Sequence, residues 1–175
     1  MKAKYKFDLF SPSDVLARVA AVNSYEVLSG IFLEVPITTD NTAAWQAAIN
    51  DNPSRRDFVL RDQVAIEKTK ETELSTQDKA IGFSGLVNIN QKHGLAELYI
   101  FMAPEYLGQG MGSLLMQYTI LYARNELNLR KINLYVSEGN HKACHFYERL
   151  GFVKEGELKK QSWHRGRYVD RYIYS

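Results

Sequence analysis

Three glycines in residues 103–113, "APEYLGQGMGS", indicate a loop that lets another group approach the backbone closely. Gly108, Gly110 and Gly112 fall at every second position, between an apolar strand-like run and residues of helical periodicity. Glycine allows positive φ and close approach, at a cost in chain entropy. The first turn of a helix presents free N–H groups and favours negative charge, so this arrangement predicts an anion site, with phosphate the usual ligand. A tight turn without a ligand is the alternative interpretation.

Two common phosphate-binding motifs do not fit this stretch. A P-loop requires GxxxxGK[ST], but Gly108 is followed five residues later by Ser113 and the lysine is missing. A dinucleotide fingerprint requires GxGxxG in an early strand–helix–strand unit, whereas these glycines run GxGxG past the middle of the chain. The phosphate-bearing ligand must therefore belong to another class.

A second stretch, "NHKACHFYERLGF" at residues 140–152, completes a resemblance to the GNAT superfamily of N-acetyltransferases. Residues 107–112 resemble that family's coenzyme A pyrophosphate loop, usually written Q/R-x-x-G-x-G/A. The second stretch is similar to its NxxAxxxYxxxGF block, with these residues in register: Asn140, Ala143, Tyr147, Gly151 and Phe152. The final "GRYVDRYIY" resembles the last strand of the polyamine, amino-sugar and ribosomal-protein acetyltransferase subgroups. The resemblance covers about residues 80–175.

The resemblance implies acetyl-CoA as co-substrate. It implies that the backbone of the strand before the loop holds the pantetheine arm, at Ile100, Phe101 and Met102. It implies that the pyrophosphate is surrounded by Leu107, Gly108, Gln109, Gly110, Met111, Gly112 and Ser113, and that Asn140 reaches the pantetheine or the thiol end. Leu107 departs from the family pattern, which has Arg or Gln there, so the affinity for the cofactor is expected to depend mainly on backbone amides.

Direct acetyl transfer to an amine needs a proton acceptor for the amine and a proton donor for the leaving thiolate. The family motif implies that Tyr147 is the general acid, and a phenol pKa near 10 suits that role; packing in the core is the alternative. Glu97, in "AELYIF", is the candidate general base, with solvent exposure or a structural ion pair as the alternative. His93 is a substitute base, and Cys144 is a candidate for a covalent intermediate or a small buried side chain.

The acceptor is expected to be a primary amine of a small molecule, such as a polyamine or an amino sugar. In the family, stretches equivalent to residues 22–45 and 158–168 shape the acceptor pocket. The first carries acidic residues that suit a polyamine, and the second carries basic residues that suit a phosphate-bearing amine. An N-terminal α-amine acetyltransferase and a non-catalytic acetyl-CoA-binding module are the alternative functions. Dimers are common in the resembled families, which makes a homodimer the assembly to test.

Hydropathy patterns predict the elements that must position these groups. Strands are predicted in "AKYKFDLF", "RDFVLRDQVAIEK", "AIGFSGLVNIN", "LAELYIFMA", "KINLYVS", "FVKEGELKK" and "GRYVDRYIYS". Helical spacing covers residues 15–30, 42–50, 111–122 and 140–150, and the charged residues 67–79 suggest a loop. We expect an α/β (α+β) fold: one GNAT-like domain over residues 1–175, with a mixed, mostly antiparallel sheet of about seven strands and about four helices.

Composition excludes several other classes of protein. The chain has 175 residues, 45% hydrophobic and 24% charged, with a net charge of +2, which predicts a globular protein without nucleic-acid binding. It shows no apolar run of membrane-spanning length and no signal peptide, so we expect a cytoplasmic protein that does not contact a membrane. One cysteine and four scattered histidines predict no metal site.

Overall fold

The computed structural model describes residues 4–28, 30–31, 36–49, 51–63, 79–164 and 166–175. Its strands are β1 (Tyr5–Leu9), β2 (Arg56–Asp62), β3 (Lys79–Asn90), β4 (Leu95–Met102), β5 (Lys131–Ser137), β6 (Lys154–His164) and β7 (Arg167–Tyr174). Its α-helices are α1 (Val15–Val22), α2 (Tyr25–Leu28), α3 (Thr39–Ile49), α4 (Met111–Asn125) and α5 (His141–Arg149). Short 3-10 turns at Pro12–Asp14 and Pro104–Tyr106 precede α1 and the glycine loop.

All seven strands join one sheet in the order β1-β2-β3-β4-β5-β7-β6. Every neighbouring pair is antiparallel except β4 and β5, which are parallel. A parallel pair needs a crossover, and α4 supplies it between the two strands. The predicted fold class, a mixed and mostly antiparallel sheet of seven strands with helices, is confirmed.

The parallel strands β4 and β5 pair over only three residues each. Their register runs from Leu95 opposite Lys131 to Glu97 opposite Asn133. Beyond that point β4 stays paired with β3 as far as Met102, whereas β5 pairs with β7. The sheet therefore opens between β4 and β5, and in the described residues the β5-facing edge of β4 has no strand neighbour after Glu97.

Helices cover both faces of the sheet because the central strands are apolar on both sides. One core cluster combines α1 and α2 with side chains such as Phe83 and Phe101. Alternate residues of β4, including Leu98, point to the opposite face, where a second cluster contains Met116 of α4 and Tyr147 of α5. The opening between β4 and β5 thus lies between two separate helical layers.

The predicted helix over residues 15–30 is wrong in one respect, since the chain forms two helices there. α1 ends at Val22, and α2 begins at Tyr25. The Asn23 amide exchanges hydrogen bonds of 2.8 and 2.9 Å with the backbone of Ile37, and the Ser24 hydroxyl donates to the Ala21 carbonyl at 2.7 Å. These side chains compete with the helical backbone bonds, so they end the first helix early.

The other predicted elements are confirmed with shifted ends. β6 continues to His164, past the predicted end at Lys160, through a register irregularity between Leu158 and Ser162. Gly166 has φ +82° at the turn into β7. Most of the predicted loop at 67–79, and the end of the strand predicted before it, lie outside the described residues.

Candidate active site

A cavity of about 300 Å³ occupies the opening between β4 and β5. Its wall contains Arg18 of α1, Glu97 and Tyr99 of β4, Tyr147 of α5 and Arg171 of β7. Side chains from both helical layers meet there because the sheet is open at this point. Two larger surface grooves, of about 580 and 590 Å³, contain neither Tyr147 nor Glu97. The two predicted catalytic residues thus share the wall of one cavity.

Tyr147 is held by packing on α5. Its ring makes edge contacts with Phe146 and Phe152, at centroid distances of 5.2 and 5.9 Å, and lies 6.5 Å from the ring of Tyr174. Burial raises the pKa of the Tyr147 phenol well above its ordinary value, and the neighbouring Cys144 raises it further. The phenol is therefore protonated at neutral pH, but it is a weaker proton donor than the ordinary pKa near 10 would make it.

Glu97 is the last residue of β4 that pairs with β5, and the opening begins there. Its Oε2 accepts a hydrogen bond of 3.1 Å from Nδ2 of Asn88. The Arg171 side chain packs over the Tyr135 ring, with its guanidinium carbon 4.8 Å from the ring centroid. Burial lowers the pKa of Arg171, and the charge of the Glu97 carboxylate opposes that shift. This carboxylate therefore faces a cation and the cavity rather than open solvent alone.

The glycine loop leads into α4 as predicted. Gly108 and Gly110 have φ +73° and +80°, and a Cβ added at either would meet nothing within 4 Å. Glycine is therefore needed at both positions because of the positive φ of the backbone, and not because a side chain would clash with the rest of the protein. Gly112 has no such φ, and its added Cβ would lie 3.5 Å from Phe146. Gly110 is the N-cap of the 15-residue helix α4, so the space above the loop is open to a ligand.

The remaining predicted cofactor residues lie around the opening. Ile100 and Phe101 line the cavity, whereas the Met102 side chain is buried against Gly82 and Leu115. Asn140 caps α5, since its Oδ1 accepts from the Ala143 amide at 3.1 Å. A Cβ added at Gly30, which lines the cavity, would lie 3.0 Å from Nδ2 of Asn140. The side-chain oxygen of Asn140 therefore caps the helix, and its amide nitrogen lies beside Gly30 at the cavity wall.

A polar cluster on the α1 side of the cavity was missed in the sequence. Tyr99 donates a short hydrogen bond to Asp57 and accepts one of 3.4 Å from Nη1 of Arg18. Arg55 binds Asp57 through two bonds of 2.6 and 2.9 Å and packs 4.8 Å from the Trp45 ring. One signal was present, because Arg18 is the single charge in the apolar helix "VLARVAAV".

Several residues considered from the sequence lie elsewhere. His93 is exposed in the turn between β3 and β4, and Cys144 is buried in the core; neither lines the cavity. Two stretches were expected to shape the acceptor pocket. Residues 22–45 contribute Gly30 and Ile31 to the cavity wall, whereas no described residue of 158–168 lines it. Lys159 of that second stretch pairs with Glu157 and Asp170 on the surface. In the described ranges, no group of three or more His, Cys, Asp or Glu side chains is arranged to hold a metal.

Comparison with known proteins agrees with this geometry. The family model described as "Acetyltransferase (GNAT) family" matches residues 35–152, about two thirds of the chain. The chain belongs to this acetyltransferase family. The match includes the glycine loop, the opening of the sheet and α5.

Two curated relatives of this GNAT chain are spermidine N(1)-acetyltransferases. The one from Vibrio cholerae is 39% identical over 122 residues, which cover 70% of this chain and 62% of the relative. The one from Escherichia coli K12 is 40% identical over 87 residues, 50% of this chain and 47% of the relative. The matched segments thus span less than two thirds of either relative's length. A solved spermidine N-acetyltransferase from Vibrio cholerae, in complex with CoA and spermine, has a TM-score of 0.84 and 30% identity, and the alignment covers 98% of this chain and 94% of that one.

Among the described residues, no helix is both long and apolar enough to cross a membrane.

Proposed function

We propose that this protein transfers the acetyl group of acetyl-CoA directly to a primary amine of a small molecule. The observation that carries the proposal is the cavity in the opening between β4 and β5, because its wall holds a protonated phenol, Tyr147, and a carboxylate, Glu97. Family membership supports the reaction class, and the names of the relatives support a small-molecule acceptor, with polyamines as one class to test.

The residues present fit the co-substrate. Gly108 and Gly110 leave the space above the loop free of side chains at the N-terminus of α4, which suits a pyrophosphate. We assign the flanking residues of the same loop to this pyrophosphate site: Leu107, Gln109, Met111, Gly112 and Ser113. The unpaired edge of β4 at Ile100, Phe101 and Met102 suits the amide groups of pantetheine, and Asn140 lies beside the cavity wall.

Each of the two proton transfers is assigned to one residue: Glu97 takes the proton of the amine, and Tyr147 supplies the proton of the leaving thiol. Bound acetyl-CoA supplies a thioester, whose C–S bond is replaced by a C–N bond to the acceptor, giving an acetamide and the free CoA thiol. Glu97 accepts the proton that the amine loses, directly or through one water molecule. Tyr147 gives its phenolic proton to the leaving sulfur, and the charge it acquires is then neutralised by a proton from solvent.

The test is release of free thiol from acetyl-CoA across a panel of amines. The panel contains spermidine, diamines, amino acids, amino-sugar nucleotides, aminoglycosides and peptides with a free N-terminus. Release above background with a small molecule supports the proposal, and release with peptides alone favours the N-terminal alternative. If no amine gives thiol release but acetyl-CoA raises the melting temperature, the result supports a binding module. If there is neither thiol release nor a raised melting temperature, the result contradicts the proposal. Sedimentation of the same sample tests the expected homodimer.

A further inference from the structure

The side chain of Arg18 is a buried cation at the wall of the cavity, opposite the layer that carries Tyr147. We propose that Arg18 is an anion-binding residue and that the acceptor is an amine that also carries a carboxylate or phosphate group. This inference rests on the proposed acetyl transfer and narrows its substrate class. It sets this chain apart from relatives named for spermidine, which bears no anionic group.

The surroundings of Arg18 stabilise the charge but do not satisfy its hydrogen bonds. The residue is only 6% exposed. Its guanidinium carbon lies 4.6 Å from the Trp45 ring centroid and 5.1 Å from that of Phe101, and three further rings, Phe10, Phe83 and Tyr99, lie within 5.9 Å. Aromatic faces attract a cation, yet they accept no strong hydrogen bonds from its five N–H groups.

Arg18 has little hydrogen bonding for a residue so deeply buried. Its polar contact is the 3.4 Å bond to the Tyr99 hydroxyl. In the described part of the chain, no carboxylate lies within ion-pair distance of its guanidinium. Buried charges in proteins are normally paired, because an uncompensated one is costly. The cavity beside Arg18 is therefore the place where a partner anion can bind.

Asp57, which is joined to Arg18 through the Tyr99 hydroxyl, does not neutralise it. Asp57 is already bound by two N–H groups of Arg55. The chain of contacts from Arg18 through Tyr99 and Asp57 to Arg55 thus carries one net positive charge. A ligand anion beside Arg18 compensates that charge, and an additional cation is repelled.

The charge of the whole cavity agrees with an anionic ligand group. Among the described residues of its wall, three are arginines, Arg18, Arg55 and Arg171, and one is a carboxylate, Glu97. Glu97 faces Arg171, whereas among the described residues of the α1 side two arginines, Arg18 and Arg55, share one carboxylate, Asp57. An acceptor with an amine at one end and an anion at the other matches this division. The planar guanidinium binds carboxylate and phosphate through paired hydrogen bonds, so both groups belong to the same ligand chemistry.

Matched acceptors test the inference without altering the protein. Lysine differs from cadaverine by its carboxylate, and 2-aminoethyl phosphate differs from ethanolamine by its phosphoryl group. We expect kcat/KM for thiol release to be about 10- to 100-fold higher for the anionic member of at least one pair, the range of a charge-assisted hydrogen bond. The pair that shows the preference tells carboxylate from phosphate. Equal or higher values for cadaverine, ethanolamine and spermidine overturn the inference.

The variant Arg18→Gln assigns the preference to this residue. It is expected to reduce kcat/KM for the acceptor that carries the anionic group to the level of the matched amine that lacks this group, while kcat/KM for the matched amine changes little. Arg124→Gln, an exposed position on α4, is the matched control. Arg18→Lys keeps the charge inside the aromatic ring cluster if Gln impairs folding, and it should retain part of the preference. A preference that survives in a folded Arg18→Gln protein contradicts the inference.

Ligand binding separates this inference from the proposed function. The melting temperature is measured in CoA with lysine, cadaverine, 2-aminoethyl phosphate or ethanolamine, for the wild type and for Arg18→Gln. Stabilisation by an anionic compound that depends on Arg18, without any thiol release, upholds the anion site and contradicts the acetyl transfer. Thiol release without such stabilisation or preference upholds the transfer and overturns the anion site.

Discussion

Gly85 of β3 lies directly opposite Tyr99 of β4, and a Cβ added at Gly85 would come within 2.2 Å of Cε1 in the Tyr99 ring. The same Cβ would lie 2.9 Å from Oδ1 of Asp57. Three strands therefore meet at one small gap, which only glycine leaves open. The Tyr99 ring fills that gap, and its hydroxyl joins Arg18 to Asp57. A residue outside the cavity wall, Gly85, thus controls the position of residues within it.

Gly85→Ala is expected to displace the Tyr99 ring and lower stability. The added methyl group overlaps a ring held by a hydrogen bond, and such overpacking typically costs about 1–3 kcal/mol of unfolding free energy. Urea denaturation measures the change. Gly156→Ala is the matched control in an edge strand, because its Cβ would meet only Ile173 at 3.8 Å. Equal unfolding free energies of the two variants would contradict the prediction, because they would show that the strands move apart at Gly85 without a loss of stability.

Tyr147→Phe is expected to lower kcat by about 10²–10⁴-fold, the usual contribution of a positioned proton donor. The ring contacts with Phe146, Phe152 and Tyr174 remain, so the fold and the affinity for acetyl-CoA should be preserved. Thiol release gives kcat, and a thermal shift in acetyl-CoA reports binding. Tyr118→Phe on α4, outside the cavity, should leave both unchanged. An unaltered kcat in Tyr147→Phe would remove this residue from the role of general acid.

Glu97→Gln is expected to lower kcat/KM most strongly at the pH where the wild type is fastest. The amide has nearly the same shape and can still contact Asn88, but it cannot take the proton of the amine. The measurement is the pH profile of thiol release, whose maximum should be lower in the variant. Asn88→Ala serves as the comparison, since it removes the bond that orients Glu97 and leaves the carboxylate. A profile unchanged in shape and height would mean that another group accepts the proton.

Gly110→Ala is expected to raise KM for acetyl-CoA and to lower stability. An L-residue at φ +80° is strained by roughly 1–2 kcal/mol, and relief of that strain moves the loop. Gly151→Ala introduces comparable strain at φ +90° after α5, away from the loop. It should reduce the melting temperature to a similar degree while KM stays constant. Similar KM values in the two variants would argue against a cofactor role for the loop.

Alkaline pH is expected to destabilise the protein partly through Tyr99. Burial raises the pKa of Tyr99 to about 12, and Asp57 adds to the shift while Arg18 opposes it. The folded protein thus binds its phenolic proton more tightly than the unfolded chain does. Stability from this group is present below about pH 10 and is lost as pH rises toward the folded pKa.

Tyr99→Phe tests this assignment. Its unfolding free energy should fall by roughly 1 kcal/mol less than that of the wild type between about pH 9 and about pH 11. Urea denaturation at the two pH values gives the difference, and Tyr118→Phe, on α4 and outside the cluster of Tyr99, Arg18 and Asp57, is the control. Parallel changes in wild type and Tyr99→Phe would assign the alkaline loss to other groups.

The sequence by itself determined the local elements and the motifs they carry. Gly108 and Gly110 predicted a turn with positive φ before a helix. Asn140 and Gly151 indicated the two ends of α5, and alternating apolar residues predicted the strands. These features depend on neighbours a few residues apart, through φ preferences, caps and periodicity, and such short-range effects are readable from order alone. The resemblance of two such stretches to one family added the fold and the cofactor.

Only the tertiary structure decided what surrounds the site. Arg18 and Tyr99 are 81 positions apart in the chain, and their contact exists because α1 packs on the face of the sheet to which Tyr99 points. The early end of the β4–β5 pairing at Glu97 and Asn133 likewise has no local signal. Which side chains meet in a cavity depends on strand register and on which helix covers which face, and those follow from the packing of the whole chain rather than from any single segment.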